Sequence, residues 1–205
     1  VSADHELVTS RLVLRPPDPR TDLDEAFAIF SDPALWTHAP ESRHRTAEQT
    51  HNWLVRAAVN WDRHGMSYWI ARLRTDETMV GAGGVGRQPT GAWNVFYRLA
   101  TDFHGQGLAT EIARAGLAHA AELDPDVPCI AWIRSDNAAS RRVAERLGLV
   151  DCGLRVDPAD GVQRVAYADR PLSGYYGALV PDSGRPDADA EGDADAESDA
   201  DSPPA

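Results

Sequence analysis

The chain has 205 residues, 42% of them hydrophobic and 25% charged, with a net charge of −12, two cysteines and no lysine among its twenty basic side chains. That size and apolar content fit one domain with a sizeable core, and the absence of any long apolar run or leader-like N-terminus makes a cytoplasmic protein the expectation, with no membrane partner. Nine acids against one arginine crowd into residues 181–205, so the rest is only mildly acidic, which argues against nucleic acid and fits an amine partner.

In chain order, Leu7 to Arg15 alternates around Leu12 and Leu14 until Pro16-Pro17 stop it, which predicts an entry strand. Asp22 and Glu25 stand at capping-box spacing before Leu23, Phe27, Ile29 and Phe30, predicting a short helix that ends near Asp32-Pro33. Residues 33–45 hold Trp36, His38, Glu41, Arg43, His44 and Arg45. A loop so rich in ionisable groups reads as a substrate wall, or as a surface loop with one buried tryptophan. Thr46 and Gln49 form a second capping box, and Trp53, Leu54, Ala57, Ala58 and Trp61 share one face of the helix that follows.

Three strands are expected next, at 67–73, 78–85 and 92–99. The middle one ends in Gly81-Ala82-Gly83-Gly84-Val85-Gly86, a G-x-G-x-x-G spelling, but the turn Arg87–Gly91 follows it where a dinucleotide site needs a helix. Close strand packing is the better reading of those glycines. After the third strand comes Phe103-His104-Gly105-Gln106-Gly107-Leu108-Ala109-Thr110-Glu111, a glycine turn running straight into a helix that lasts to about Leu123. The first helical amides lack intrahelical acceptors and carry the positive end of the helix dipole, so the stretch predicts an anion cradle of the kind that takes phosphate. A P-loop is excluded, because no Gly-Lys pair exists here.

Cys129 to Ile133 reads as a strand buried on both faces, and Ser135-Asp136-Asn137 as the start of a helix ended by Gly148. Val150–Val156 and Gln163–Tyr167 form a closing strand pair. Cys129 and Cys152 have apolar neighbours and no Cys-x-x-Cys spacing, so reduced core thiols are expected and no metal site. Composition divides the chain into a folded domain at 1–175 and an acidic Asp/Ala-rich disordered tail at 176–205.

Several of these stretches resemble the GCN5-related N-acetyltransferase (GNAT) superfamily. His104, Gly107 and Ala109 occupy the fixed positions of its Gln/Arg-x-x-Gly-x-Gly/Ala motif, with His104 in place of Gln or Arg. Tyr97-Arg98-Leu99, Asn137-Ala138-Ala139-Ser140-Arg141-Arg142-Val143, Leu147-Gly148-Leu149 and the opening Leu12-Val13-Leu14-Arg15-Pro16 look like its RimJ/RimL-like, ribosomal-protein branch. The resemblance covers about residues 7–171. It implies an α+β, three-layer α/β/α fold with a mixed sheet of about seven strands, four helices and splayed central strands.

The same resemblance implies acetyl-CoA as co-substrate, with no metal. The pyrophosphate is expected on His104, Gly105, Gln106, Gly107, Leu108, Ala109 and Thr110, and the pantetheine arm along Tyr97, Arg98 and Leu99 with help from Asn137 and Ser140. The implied chemistry is direct attack of a primary amine, a protein N-terminal α-amine or a small-molecule amine, on the thioester. The tyrosine that often protonates the departing thiolate is replaced by Ala144; the related branch places a serine three residues after its asparagine, and the resemblance thereby implies Ser140 as the general-acid candidate. The branch's usual glutamate base is Asn94 here, so either a water chain relays the proton or another group takes it; His38, Glu41 and His44 stand as base candidates, with Tyr68 a weaker one. A closed pocket between Trp36 and Trp69 would favour a small acceptor. A catalytically weak acyl-CoA-binding module is the alternative, motivated by Asn94 and Ala144. A monomer or homodimer is expected.

Overall fold

The structure, a computed structural model, describes residues 5–37 and 39–180. The expected entry strand is two short ones, β1 (Leu7–Val8) and β2 (Leu12–Arg15), folded back so that Leu7 faces Leu14 and Val8 faces Val13. The turn is closed by Thr9, whose amide donates to the Leu12 carbonyl at 2.9 Å while its hydroxyl accepts from the Leu12 amide at 3.1 Å. A hydroxyl-closed turn without glycine or proline leaves little trace in a sequence.

Helix α1 (Leu23–Phe30) forms where expected but without its capping box. The fully buried Asp22 carboxylate instead takes the Arg15 and Arg72 guanidiniums and the Asp18 amide, and Glu25 also turns to Arg72. Charge-assisted bonds from two arginines outcompete a neutral helix amide. Helix α2 (Ala47–His64) keeps the Thr46–Gln49 capping box in full and ends on left-handed Gly65.

Strands β3 (Tyr68–Leu73), β4 (Met79–Arg87) and β5 (Trp93–Leu99) form an antiparallel meander. Helix α3 (Leu108–Leu123) lies directly on β4. A Cβ on Gly83 would meet Ile112 Cγ2 at 2.9 Å, and one on Gly116 would meet Val85 Cγ2 at 2.7 Å. The glycines of β4 therefore serve helix-to-sheet approach. Strand β6 (Cys129–Ile133), helix α4 (Ala138–Arg146), and strands β7 (Val150–Val156) and β8 (Gln163–Ala168) complete the chain order.

The sheet has eight strands in the order β1-β2-β3-β4-β5-β6-β8-β7; the expected seven become eight because the entry strand splits. Only β5 and β6 run parallel, and only Trp93–Cys129 and Asn94–Ile130 are in register. From Val95 onward the two strands part, giving the expected splay. One cluster on the sheet gathers Ala26, Ile29, Phe30, Trp36, Leu54 and Ile70; another gathers Leu12, Trp61, Trp69, Ile112 and Ala113. Trp36 and Trp69 thus belong to different clusters.

Past residue 175 the chain continues beside β7, with the Val156 amide donating to Ala178 O at 3.1 Å and the Val180 amide to Leu154 O at 2.8 Å. The acidic residues 181–205 lie outside the described residues, as does His38. Among the described residues no helix is long and apolar enough to cross a membrane, and both cysteines are free.

Candidate functional site

The cradle is a short 3-10 turn, Thr101–Phe103, followed by two left-handed glycines, Gly105 (φ 74°) and Gly107 (φ 78°). Gly107 is the N-cap of α3 and offers no side chain, so the Leu108, Ala109 and Thr110 amides keep their hydrogens for an outside acceptor. The Gln106 amide folds back onto Asp102 O at 2.8 Å, and the His104 ring Nε2 donates to Leu99 O at 2.9 Å. His104 thereby ties the loop to the last residue of β5. Thr110 Oγ1 is buried without a partner. A Cβ at Gly105 would meet nothing within 4 Å, so the loop stands open to an approaching group. These features fit a phosphate.

A clamp holds this loop from behind. Glu111, in the first turn of α3, accepts from Thr9 Oγ1 at 2.6 Å, Ser10 Oγ at 2.9 Å and the Arg11 amide at 3.0 Å, and pairs with the Arg11 guanidinium at 2.7 Å. Arg11 also donates to the Gln106 carbonyl at 2.7 Å. Burial alone pushes the Glu111 carboxyl up, but the bonds from Thr9, Arg11 and Ser10 outweigh it and hold it at about 2. The clamp depends on the turn between β1 and β2, whose residues stand about a hundred positions from Glu111 and leave no local signal of it in the sequence.

Beside the cradle lies the gap. From Val95 to Leu99 the β6-facing edge of β5 has no strand partner. Helix α4 stands at this gap. Asn137 Oδ1 accepts the Ser140 amide at 3.0 Å as a plain N-cap, and the Tyr97 hydroxyl donates to the Ser140 carbonyl at 3.3 Å. The structure therefore brings together Tyr97, Asn137 and Ser140, three of the residues expected there. No hydrogen bond from another described residue engages Ser140 Oγ. Ala144 is buried in the core.

The opposite side of β5 carries Asn94, Phe96 and Arg98. Asn94 Nδ2 donates to the Tyr68 hydroxyl at 2.8 Å, and Tyr68 stacks on Trp53 and packs against Phe96. Burial pushes the Tyr68 phenol to about 12, so it is protonated at neutral pH and makes a poor base. The loop 33–45 covers the end of this wall. Trp36, pinned by its indole N–H to Phe30 O at 2.7 Å, lies with its ring centroid 3.9 Å from the Arg98 guanidinium carbon. His44 stacks on Trp36, with Nδ1 2.9 Å from Thr50 Oγ1; burial and the charges of Arg56 and Arg98 hold its pKa below the ordinary histidine value. Glu41 is exposed and meets Arg134, just beyond β6, at 3.3 Å. The loop thus reaches residues at the C-terminal ends of both splayed strands. Among the described residues no cluster of three or more metal-ligating side chains occurs.

A family model described as an acetyltransferase (GNAT) domain matches residues 11–150. The protein YkkB of Bacillus subtilis (strain 168), itself uncharacterized, is 31% identical over 157 residues, covering 73% of this chain and 87% of YkkB. Among solved structures, RimL, a ribosomal L7/L12 alpha-N-protein acetyltransferase in complex with coenzyme A, superposes with a TM-score of 0.63 at 20% identity over 80% of this chain and 97% of its own. An acetyltransferase of Salmonella typhimurium that modifies the N-terminal serine of ribosomal protein L7/L12 superposes with a TM-score of 0.64 at 21% identity, over 82% and 98% respectively.

Proposed function

Because the chain belongs to the GNAT acetyltransferase family, we propose that it moves an acetyl group from acetyl-CoA to a primary amine, a protein N-terminal α-amine or a small-molecule amine. The observation that carries this reading is the continuity between the unpaired edge of β5 and the uncapped start of α3. One surface offers strand-like hydrogen bonds to an extended, amide-bearing arm, and the other offers helix amides to a phosphate.

Bound acetyl-CoA supplies an activated thioester; the chain supplies position, charge and proton transfer. The Leu108, Ala109 and Thr110 amides take the pyrophosphate, with Gly105 and Gly107 admitting it close to the backbone. Backbone groups at Tyr97 to Leu99 align the pantetheine arm. An N–H on that open edge is placed to stabilise developing negative charge on the thioester oxygen, and such a donor contributes about 3 kcal/mol. Ser140 Oγ is the group assigned to return a proton to the leaving sulfur; the Tyr97 hydroxyl is already engaged with a carbonyl.

We assign the base to His44, which stacks on Trp36. Its lowered pKa leaves the ring neutral at pH 7, ready to accept a proton from an ammonium group. Glu41 is held by Arg134 instead.

The test is free-thiol release from acetyl-CoA against a panel of amines and N-terminal peptides. Turnover with at least one amine class is expected. Tight acetyl-CoA binding with no turnover on any amine would leave only an acyl-CoA-binding module.

A further inference from the structure

Strand alternation puts Asn94, Phe96 and Arg98 on one face of β5, the face covered by Trp53 and the loop 33–45, with Arg98 in the segment where β5 has already lost β6. The Arg98 side chain is mostly buried there, and its accounting does not close. One terminal nitrogen donates to Leu35 O at 2.9 Å, and the Trp36 ring covers one face of the plane. Nε is buried with no partner at all. No carboxylate among the described residues pairs with this guanidinium: the nearby Glu41 goes to Arg134, and Asp22 and Glu25 go to Arg15 and Arg72. Burial accordingly pushes the guanidinium down to about 10. A carbonyl and a ring compensate poorly for a cation withdrawn from water, and a guanidinium fork has five donors matched to a carboxylate.

We propose that Arg98 is the anchor for a carboxylate carried by the acceptor, so that the amines acetylated here are amino-carboxylates. This rests on the acetyl-transfer reading above. Trp36 fixes the guanidinium plane, so the carboxylate approaches edge-on, at the terminal nitrogen that does not bond Leu35 O. Arg98 sits between Tyr97 and Leu99, whose backbone lines the open edge. Phe96, Tyr68 and Trp53 form an aromatic wall beside it that takes an apolar portion of the same molecule. The carboxylate has two possible sources, the α-carboxylate of a free amino acid or the side chain of an acidic first residue in a peptide.

The experiment measures thiol release by the full chain with acetyl-CoA and matched acceptor pairs. One arm compares free amino acids with their carboxamides; the other compares peptides that begin with Asp or Glu with those that begin with Asn or Gln. In the arm that matches the source, kcat/KM is expected to fall on the order of ten- to hundredfold on loss of the carboxylate, mostly through KM. Arg98→Gln is expected to erase that difference, so that both members of each pair turn over alike. The wild-type comparison stands even if the variant folds poorly. Equal turnover of both members of every pair overturns the carboxylate anchor and leaves acetyl transfer intact, whereas no turnover of any amine overturns both.

Discussion

Replacing Glu111 by Gln tests whether the cradle is held by charge. The substitution keeps the shape and one acceptor oxygen for Thr9 and Ser10 but removes the counter-ion of Arg11. Depression of the carboxyl from an ordinary 4.5 to about 2 corresponds to about 3 kcal/mol of preference for the folded, ionised form. The Glu111 side chain is 13% exposed but Arg11 is 47% exposed, so solvent screening brings the expected loss to about 2 kcal/mol. The sign follows from the direction: a depressed carboxyl stabilises fully above its unfolded value and loses that contribution as pH falls through its folded value. Denaturant titrations of both proteins should therefore differ by about 2 kcal/mol from about pH 8 down to about pH 5.5, with the gap closing between about pH 4.5 and 2. The KM for acetyl-CoA should rise severalfold, because the Gln106 carbonyl loses a firmly placed donor. A gap under about 0.5 kcal/mol at neutral pH, or one unchanged at about pH 3, would refute a charge-held clamp.

Other outcomes follow from the same geometry. Gly83→Ala places a methyl 2.9 Å from both Ile112 Cγ2 and the Phe96 carbonyl oxygen, and should destabilise the fold by about 1–3 kcal/mol in thermal or denaturant melts. Ser140→Ala should lower kcat by about tenfold or more with little change in acetyl-CoA KM; unchanged kcat across pH would remove Ser140 from proton transfer. The acidic limb of kcat/KM should titrate below the ordinary histidine value of 6.5, since burial and then Arg56 and Arg98 lower His44. His44→Asn should abolish that limb, and an identical profile in the variant would sink the base assignment.

Elements whose signals are local were legible in the sequence. The Thr46–Gln49 cap, the span Leu108–Leu123 and the strand Cys129–Ile133 all appear as read, because capping chemistry and apolar periodicity are properties of neighbouring residues. What escaped depends on partners far along the chain. Asp22 looked like a helix cap until Arg72 arrived from fifty residues away. The Glu111 clamp joins residues about a hundred positions apart. Arg98 reads from the sequence as part of the pantetheine-binding strand, and its side chain becomes informative only where Leu35 and Trp36 fold over it. Period-two alternation could have placed Asn94, Phe96 and Arg98 on one face, but not that covering loop.

The short parallel contact between β5 and β6 has a mechanical side. With two registered pairs joining strands β1–β5 to β6–β8, the sheet is two sheets stitched at one end. Elsewhere the halves also touch through α3 against α4, the Tyr97–Ser140 bond, the Glu41–Arg134 pair and the Trp132–Gln88 bond. In the proposed complex, an extended ligand lying in the opening would hydrogen-bond along β5 as a ninth strand and fasten the seam. Slower amide exchange at Val95 to Leu99 in the presence of acetyl-CoA would be the signature of that fastening, and the substrate would then be a structural member of the sheet while it waits to react.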